Sequence, residues 1–262
     1  MTLLEIEDLT VRFGGRAVVD GVSLTIDAGD RLGLIGASGS GKSLTALAAV
    51  GLAPDDAEVT GRVRLDGRDL IGLRDRELAP LRGGRVGVVF QEPQTALDPL
   101  MRVGRQVAGP VHRLTGLDRR AAAVRAVELL AAVGLPDPEN MARAYPHQMS
   151  GGQRQRVGIA IALAGDPALL IADEPTTALD VTVQAEILAL LDRLVDERDM
   201  ALLFISHDLA VVARVARRVA VLAAGQVREE GPLEQVLHEP TDDATKALLT
   251  AYRASAWSPS WS

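Results

Sequence analysis

The sequence predicts an α/β fold: a core with a mainly parallel sheet, an N-terminal antiparallel β subdomain and an inserted α-helical subdomain. Four short apolar runs support the parallel sheet, at residues 31–35, 86–90, 168–172 and 201–205. Continuous apolar runs of this length are typical of strands that are buried on both faces of a sheet. Helix-forming sequence separates the runs, as an alternation of strands and helices requires.

Composition narrows the class of protein. With 262 residues, 47% of them hydrophobic, the chain can bury the core of one large domain or of a domain with an inserted lobe. It has no cysteine, which excludes disulfides and thiolate metal sites. A net charge of −7 argues against a general affinity for nucleic acid or anionic lipid, and leaves room only for local basic patches. No apolar run approaches the roughly 20 residues of a membrane span, and the acidic N-terminus predicts no signal peptide. We expect a soluble, cytoplasmic chain.

The first segment alternates apolar and polar residues. Val22, Leu24 and Ile26 alternate with polar neighbours, which predicts a strand with one buried face. A second apolar pair precedes Asp66 and Gly67, and this dipeptide is a hairpin-turn signal. The N-terminal part is therefore predicted to be antiparallel.

A glycine-rich segment follows the first apolar run and fits the phosphate-loop pattern G-x-x-x-x-G-K-[ST]. The chain has only two lysines, Lys42 and Lys246, and otherwise carries its positive charge on arginine. An ammonium group on a flexible stem can point at β- and γ-phosphate oxygens inside a curled loop, where a planar guanidinium fork does not fit. The segment predicts binding of a nucleoside triphosphate through Gly36, Ser38, Gly39, Ser40, Gly41, Lys42 and Ser43.

The flanks of this loop have the order that phosphate binding needs. A predicted strand precedes the loop, and residues 43–50 form a helix-favouring run after it. In this arrangement, backbone N–H groups and the helix N-terminus surround the phosphates. The hydroxyl of Ser43 is expected to bind Mg²⁺.

Residues 92–158 differ from the rest of the chain. They are rich in alanine and arginine, contain a clear helical pattern that begins at Asp118, and include no convincing strand. We interpret them as a helical subdomain inserted between two core strands. The core then comprises residues 1–91 and 159–230, and residues 231–262 form a short C-terminal extension whose tip, with both tryptophans, is expected to be frayed.

The apolar run at residues 168–172 ends in two carboxylates. Asp173 is expected to hold Mg²⁺, directly or through water, and Glu174 to polarise the water that attacks the γ-phosphate. An ordinary strand that ends in acidic residues is the alternative. A helix with one apolar face follows and is predicted to begin at Asp180 as its N-cap.

A second segment suited to anions opens the helix predicted at residues 154–164. Ser150, Gly151, Gly152 and Gln153 offer a hydroxyl, bare backbone amides and a positive helix end. One ATP needs only one such cradle, so a second is explained if it closes over the ATP of another subunit. With this segment the chain resembles the ATP-binding cassette (ABC) ATPases and their signature motif, with Met149 where leucine is usual.

The resemblance covers residues 3–230 and implies roles for further positions. Gln91 would sense Mg²⁺ and contact a membrane subunit, and His207 would hydrogen-bond the γ-phosphate. Asp180, with residues 178 and 179, would lie in the loop that crosses the dimer interface. Phe13 stands where the family stacks an aromatic ring, usually tyrosine, on adenine. ATP and Mg²⁺ are the implied cofactors.

Two longer segments, residues 90–99 and 145–156, look like the oligopeptide, dipeptide and nickel importer ATPases, whereas residues 239–249 only partly echo that group's tail. The short tail without cysteine tilts the interpretation toward the nickel or metallophore branch. The resemblance implies an ATPase subunit at the cytoplasmic face of the membrane. Its partners would be two permease subunits, a second ABC ATPase (a different chain or a second copy) and, indirectly, an extracytoplasmic solute-binding protein. Nucleic acid is not an expected partner. The solute stays open among peptide, nickel and metal chelates.

Two alternatives remain at this stage. A non-transport ABC ATPase that acts on nucleic acid or the ribosome typically has long coiled coils, zinc cysteines or two cassettes in one chain, and none is present. A cassette that binds ATP without hydrolysing it is opposed by the intact Lys42, Asp173, Glu174 and His207. For the importer, Leu97 and Leu100 are predicted to be exposed and to receive a permease helix.

Overall fold

The computed structural model describes residues 1–91, 97–177 and 179–256. The chain divides into two compact units, one formed by Met1–Gly72 with Leu203–Ser262 and the other by Leu73–Leu202. In chain order the elements are β1 Thr2–Phe13, β2 Arg16–Asp27, β3 Arg31–Ile35, α1 Lys42–Ala49, β4 Glu58–Leu65, β5 Arg68–Asp69, α2 Asp75–Leu78, β6 Val86–Val89, α3 Val103–Thr115, α4 Arg119–Ala132, α5 Pro138–Arg143, α6 Gly151–Ala162, β7 Leu169–Asp173, α7 Val181–Glu197, β8 Ala201–Ile205, α8 Leu209–Val215, β9 Arg218–Ala223, β10 Gln226–Pro232, α9 Leu233–His238 and α10 Asp243–Ala256.

An antiparallel sheet occupies the N-terminal part of the first unit, with the strand order β2-β1-β4-β5. The predicted alternation is confirmed, because Val22, Leu24 and Ile26 are all buried. Asp66 and Gly67 connect β4 to β5 with φ angles of 50° and 75°. Two successive positive φ angles are the requirement of a type I′ hairpin turn, which explains the aspartate–glycine pair.

The first unit also contributes parallel pairing, between β3 and β9, and β10 continues from β9 as an antiparallel neighbour. Helix α8 packs tightly against β3. A Cβ atom on Gly33 would lie 2.4 Å from Cγ1 of Val212 in α8. A larger residue at position 33 would therefore push α8 away from the strand that leads into the phosphate loop.

The second unit pairs β6 with β7 in parallel. Its described residues between 97 and 158 are helical or irregular, without a strand, as the sequence predicts. Asp118 accepts a hydrogen bond from the N–H of Ala121 at the start of α4, and Asp180 caps α7. The predicted apolar face of α7 is confirmed, since its buried residues are Ile187, Leu188, Leu190, Leu191, Leu194 and Val195.

Three local predictions need correction or fall outside the structure. The strand at 86–90 ends at Val89, and Phe90 lies beyond it with 43% exposure. Leu97 was predicted to be exposed and is 3% exposed, whereas Leu100 is 88% exposed. Residues 92–96, 178 and 257–262, which include part of the predicted docking segment and both tryptophans, lie outside the described residues. The boundaries of the helical subdomain stay a prediction.

Among the described residues, no helix combines the length and the hydropathy that a membrane span needs.

Candidate functional site

The phosphate-loop segment lies in the first unit, between β3 and α1. The local geometry explains why two of its positions are glycine. A Cβ atom on Gly36 would lie 2.1 Å from the carbonyl oxygen of Leu222. Gly41 has a φ of 102° at the N-cap of α1, a conformation that residues with a side chain rarely adopt. These contacts curl the chain between strand and helix. They bring the residues of the predicted loop together in one turn.

Lys42 lies inside this turn and is only 5% exposed. Its Nζ donates hydrogen bonds to the carbonyl oxygens of Gly36 and Ala37, both at 2.9 Å. The ammonium group is therefore held by the loop itself, with its charge already inside the curve.

Ser40 supplies a second sign of a ligand. Its hydroxyl is buried and has no hydrogen-bond partner within the described part of the chain. A buried polar atom without a partner is costly, at about 1–3 kcal/mol. Ser38 and Gly39 are exposed at the tip of the loop, and Ser43 is half-buried in the first turn of α1. The loop thus fits an oxygen-rich anion that satisfies Ser40.

Two other predicted residues belong to the same unit. Phe13 is the last residue of β1 and is half-buried beside the turn into β2. His207 is exposed and directly follows β8 and Ser206. Its position is fixed by its neighbours, because the N–H of Asp208 donates to the hydroxyl of Ser206 at 3.0 Å and the Asp208 side chain caps α8.

The paired carboxylates lie in the second unit and differ in exposure. Asp173 is the last residue of β7 and is buried. Glu174 has a left-handed φ of 44°, so the chain turns away from the strand direction at this residue. One carboxylate is thus held within the sheet, and the other projects beyond its end.

Two side chains hold the carboxylate of Glu174. The Nε2 amide of Gln91 donates to Oε2 at 3.1 Å, and the Oγ1 hydroxyl of Thr177 donates to the same oxygen at 2.9 Å. The structure therefore brings Gln91 and Glu174 together. Sequence reasoning missed Thr177. A hydroxyl three residues after a carboxylate, in a segment that leaves a strand, is the local signal that could have identified it.

The signature segment is a capped helix start. Ser150 Oγ accepts from the N–H of Gln153 at 3.2 Å, and Gln153 Oε1 accepts from the N–H of Ser150 at 2.9 Å. This capping box uses two of the amides at the start of α6, those of Ser150 and Gln153, and does not involve the amides of Gly151 and Gly152. Both polar side chains therefore have a structural task, which sequence reasoning did not separate from anion binding.

The starts of α6 and α7 are packed together. A Cβ atom on Gly152 would lie 2.6 Å from Cγ1 of Val183, so this position needs glycine. A Cβ atom on Gly151 would meet Leu179 Cδ2 at an ordinary 3.7 Å. Packing among the described residues therefore does not require glycine at position 151. Asp180 Oδ1 accepts from the N–H groups of Thr182 and Val183.

Three of the predicted donors have the oxygen chemistry that Mg²⁺ prefers. Among residues 1–91, 97–177 and 179–256, no group of three or more His, Cys, Asp or Glu side chains could hold a metal ion alone. Mg²⁺ prefers hard oxygen ligands and is usually bound by one or two protein oxygens, water and substrate phosphates. The oxygens of Ser43, Gln91 and Asp173 are of this kind.

Comparison with known proteins places these site segments in one family of ATP-binding proteins. A family model described as ABC transporter matches residues 19–177. The oligopeptide transport ATP-binding protein OppD of Bacillus subtilis is 45% identical over 255 residues, which cover 95% of this chain and 71% of the relative. The dipeptide transport ATP-binding protein DppD of Lactococcus lactis is 44% identical, covering 94% of this chain and 72% of the relative. A putative peptide import ATP-binding protein of Brucella abortus is 47% identical, with 95% and 76% covered.

Solved structures give the same result. The ATP-binding cassette MJ0796, a dimer in a post-hydrolysis state with ADP and Pi, aligns with a TM-score of 0.77 at 31% identity and covers 88% of this chain and 99% of that one. The structure of cbiO1 from Clostridium perfringens, part of an ABC transporter complex, aligns with a TM-score of 0.78 at 27% identity and covers 91% of both. The chain therefore belongs to the ABC transporter family and is one of its ATP-binding, ATP-hydrolysing cassettes.

Proposed function

We propose that this chain is the ATPase subunit of an ABC importer that takes up peptides or related small solutes. Relatives named for oligopeptide, dipeptide and peptide import are 44–47% identical over 94–95% of the chain and support this assignment. The single observation in the structure that carries the ATPase part of this proposal is the Glu174 carboxylate, held by Gln91 and Thr177 directly after the buried Asp173. Nothing in the relatives or in the described site favours an ATPase that acts on nucleic acid or ribosomes.

The first unit binds the nucleotide. Lys42 exchanges its two loop carbonyls for β- and γ-phosphate oxygens, and the hydroxyl of Ser40 gains a partner. The backbone amides at the start of α1 face the same phosphates. Phe13 offers a ring face to adenine, and His207 offers a ring nitrogen to the γ-phosphate.

Hydrolysis depends on a base that is held before the water arrives. Glu174 accepts a proton from the water as its oxygen attacks the γ-phosphorus and the bond to the bridging oxygen of ADP breaks. The hydrogen bonds from Gln91 and Thr177 fix the carboxylate during this step. Ser43, Gln91 and Asp173 are the residues that would hold Mg²⁺, which would neutralise charge at the phosphates.

A second cassette completes each ATP site. The amides of Gly151 and Gly152 and the positive end of α6 face the phosphates of an ATP that the partner's loop holds. Asp180, the N-cap of α7, belongs to the loop that would cross the interface between the two cassettes. The partner cassette is a different chain or a second copy of this one, and two permeases complete the importer at the cytoplasmic membrane face, supplied by a solute-binding protein outside.

The proposed contact with the permease is the segment at residues 98–101, which follows Gln91 in the chain. Gln106 in α3 accepts from the N–H of Asp98 and donates to the carbonyl oxygens of Asp98 and Met101. These three hydrogen bonds fix a short irregular segment, and Leu100 projects from it with 88% exposure. Leu100 and its neighbour Met101, which is 40% exposed, together present apolar surface that is suited to burial against a partner helix.

The test of the function is uptake. Deletion of the gene should abolish growth on oligopeptides as a nitrogen source, and plasmid-borne wild type should restore it while the Glu174→Gln variant should not. Uptake of labelled nickel or of a metal chelate is measured in the same strains. Loss of metal uptake with intact peptide uptake would replace the peptide assignment by the metal one. Intact uptake of all three solutes would contradict the importer proposal.

A further inference from the structure

A broad open cavity lies on the helical part of the second unit, between α3, α4 and α5, and has a volume of about 1050 Å³. Its residues lie between 102 and 143, outside the segments that bind or hydrolyse ATP. The cavity is markedly basic. Five arginines line it, against two glutamates, so it has an excess of three positive charges in a chain whose net charge is −7: Arg102, Arg105, Arg119, Arg120 and Arg143.

Within the described residues, no carboxylate neutralises any of these arginines. Elsewhere, arginines such as Arg62, Arg156 and Arg198 pair with carboxylates. In the described part of the chain, no side-chain ion pair or hydrogen bond involves any of the five, and the one at position 102 lies 5.8 Å from the centre of the Tyr145 ring. Of the two acids, Glu128 is already paired with Arg125 at 2.9 Å. The positive charge of the cavity is therefore available to a ligand.

Small and apolar residues line the cavity together with the arginines. Arg105, Ala108 and His112 recur at helical spacing and line it from one side of α3, and Ala123 and Val127 line it from α4. Alanine and glycine at the lining positions leave space between the helices. The cavity therefore combines apolar contact surface with guanidinium groups.

We propose that this cavity binds an organic anion that carries two or more phosphate groups on an apolar body. The guanidinium fork matches phosphate in a bidentate way, and three excess charges match several phosphate charges better than one carboxylate. Val124, 58% exposed on the wall, offers contact to the apolar part. The volume is close to the upper end of the roughly 300–1000 Å³ of small-molecule sites. A soluble polyphosphate and a phospholipid headgroup share this chemistry.

The test uses the full chain with its phosphate loop saturated by MgADP, and inorganic tripolyphosphate as the calorimetric probe. The double variant Arg105→Ala with Arg143→Ala removes two of the five arginine charges that line the cavity. Its control, Arg68→Ala with Arg113→Ala, removes two exposed arginines that do not line the cavity. Binding should weaken about tenfold or more in the first variant, because charge-assisted hydrogen bonds are lost, and stay unchanged in the control. Thermal unfolding of both variants establishes that they are folded.

Flotation distinguishes the two sources of phosphate. Vesicles of cardiolipin, a phospholipid with two phosphate groups, mixed with phosphatidylcholine are compared with vesicles of phosphatidylcholine alone. Arginine-dependent binding to the anionic vesicles that tripolyphosphate displaces identifies a lipid headgroup, and probe binding without vesicle binding identifies a soluble polyphosphate. Equal affinity of the probe for wild type and for the cavity variant would overturn the proposal. So would binding of an acidic peptide that tripolyphosphate does not displace.

Discussion

Glu174 has a backbone conformation that most side-chain-bearing residues avoid. Its φ of 44° lies in the left-handed region, which costs of the order of 1–3 kcal/mol for a residue other than glycine. This backbone strain occurs at the residue whose carboxylate accepts hydrogen bonds from Gln91 and Thr177. The backbone turn and the two hydrogen bonds thus act together, since the turn directs the side chain and the donors fix it.

The first prediction concerns the base. Glu174→Gln keeps the size of the side chain and removes its ability to take a proton, so hydrolysis should fall about 10²-fold or more while ATP binding is retained. Steady-state phosphate release and nucleotide affinity of the purified subunit or complex measure the two effects. Glu197→Gln, at the exposed end of α7, is the matched control. Turnover near wild type in the first variant would exclude Glu174 as the base.

The second prediction concerns Thr177 as a positioning residue. Thr177→Val removes the hydroxyl with little change in shape, and Thr177→Ser keeps it. One hydrogen bond is worth about 1 kcal/mol, so the valine variant should lose about 3- to 10-fold in kcat with little change in KM, and the serine variant should stay near wild type. Equal losses in both variants would mean that the methyl group, and hence packing, is what matters.

At the scale of elements, local chemistry explains which predictions succeeded. Asp118 and Asp180 predict helix starts because an N-cap carboxylate acts on amides two or three residues away. The exposure of Leu97 and Leu100 could not be predicted in this way, because both are leucines in one polar segment. Their difference depends on the hydrogen bonds between Gln106 and the segment, which join residues up to eight positions apart. Thr177 was missed for a related reason, since the family pattern names the carboxylate and not its support.

The third prediction separates the two tasks of Ser150. Ser150→Asp keeps an N-cap acceptor, so α6 should remain capped, and it places a negative charge where a partner's phosphates are proposed to lie. Two like charges about 4 Å apart repel by several kcal/mol at a protein surface, so hydrolysis by the assembled cassettes should fall about tenfold or more. ATP binding by the isolated subunit, through its own loop, should be unchanged. Ser150→Thr is the neutral control, and an isolated Ser150→Asp subunit that no longer binds ATP would indicate a role within its own site or fold.

The fourth prediction concerns the link between β10 and α10. Burial raises the pKa of Glu229, but hydrogen bonds from Thr241 and Asp242 outweigh it and hold the pKa below its ordinary value of 4.5. A lowered folded-state pKa means that Glu229 stabilises the fold above about pH 4.5 and that this contribution is lost as the pH falls through the lower, folded-state pKa. Glu229→Gln should therefore lower the Tm at neutral pH, and the difference from wild type should shrink below pH 4.5. Glu58→Gln, exposed on β4, is the control, and a pH-independent difference would contradict the assignment.

At the scale of the whole molecule, the sequence predicts the order of the motifs better than the surfaces that join the chain to its partners. Phosphate loop, signature segment and paired carboxylates follow one another in the order of the family, and each has a local mechanism. The basic cavity is different, because its arginines are spread over three helices between positions 102 and 143 and become one feature only when those helices pack. Composition alone does not predict a basic cavity, because the chain as a whole is acidic.

The last prediction tests how the cassette is joined to its permease. Leu100→Asp puts a charge on the exposed side chain that a permease helix is proposed to bury, so co-purification with the permease and solute uptake should fail. ATP affinity of the isolated subunit should be unchanged, since the phosphate loop lies in the other unit. Leu117→Asp, another exposed leucine, is the control for a new surface charge. Leu97 is unsuitable for this test, because a charge at a buried position destabilises the fold whether or not the permease docks there. If the Leu100→Asp variant assembles and transports normally, the permease contacts a different surface, and Gln106 and its three hydrogen bonds then serve the fold alone.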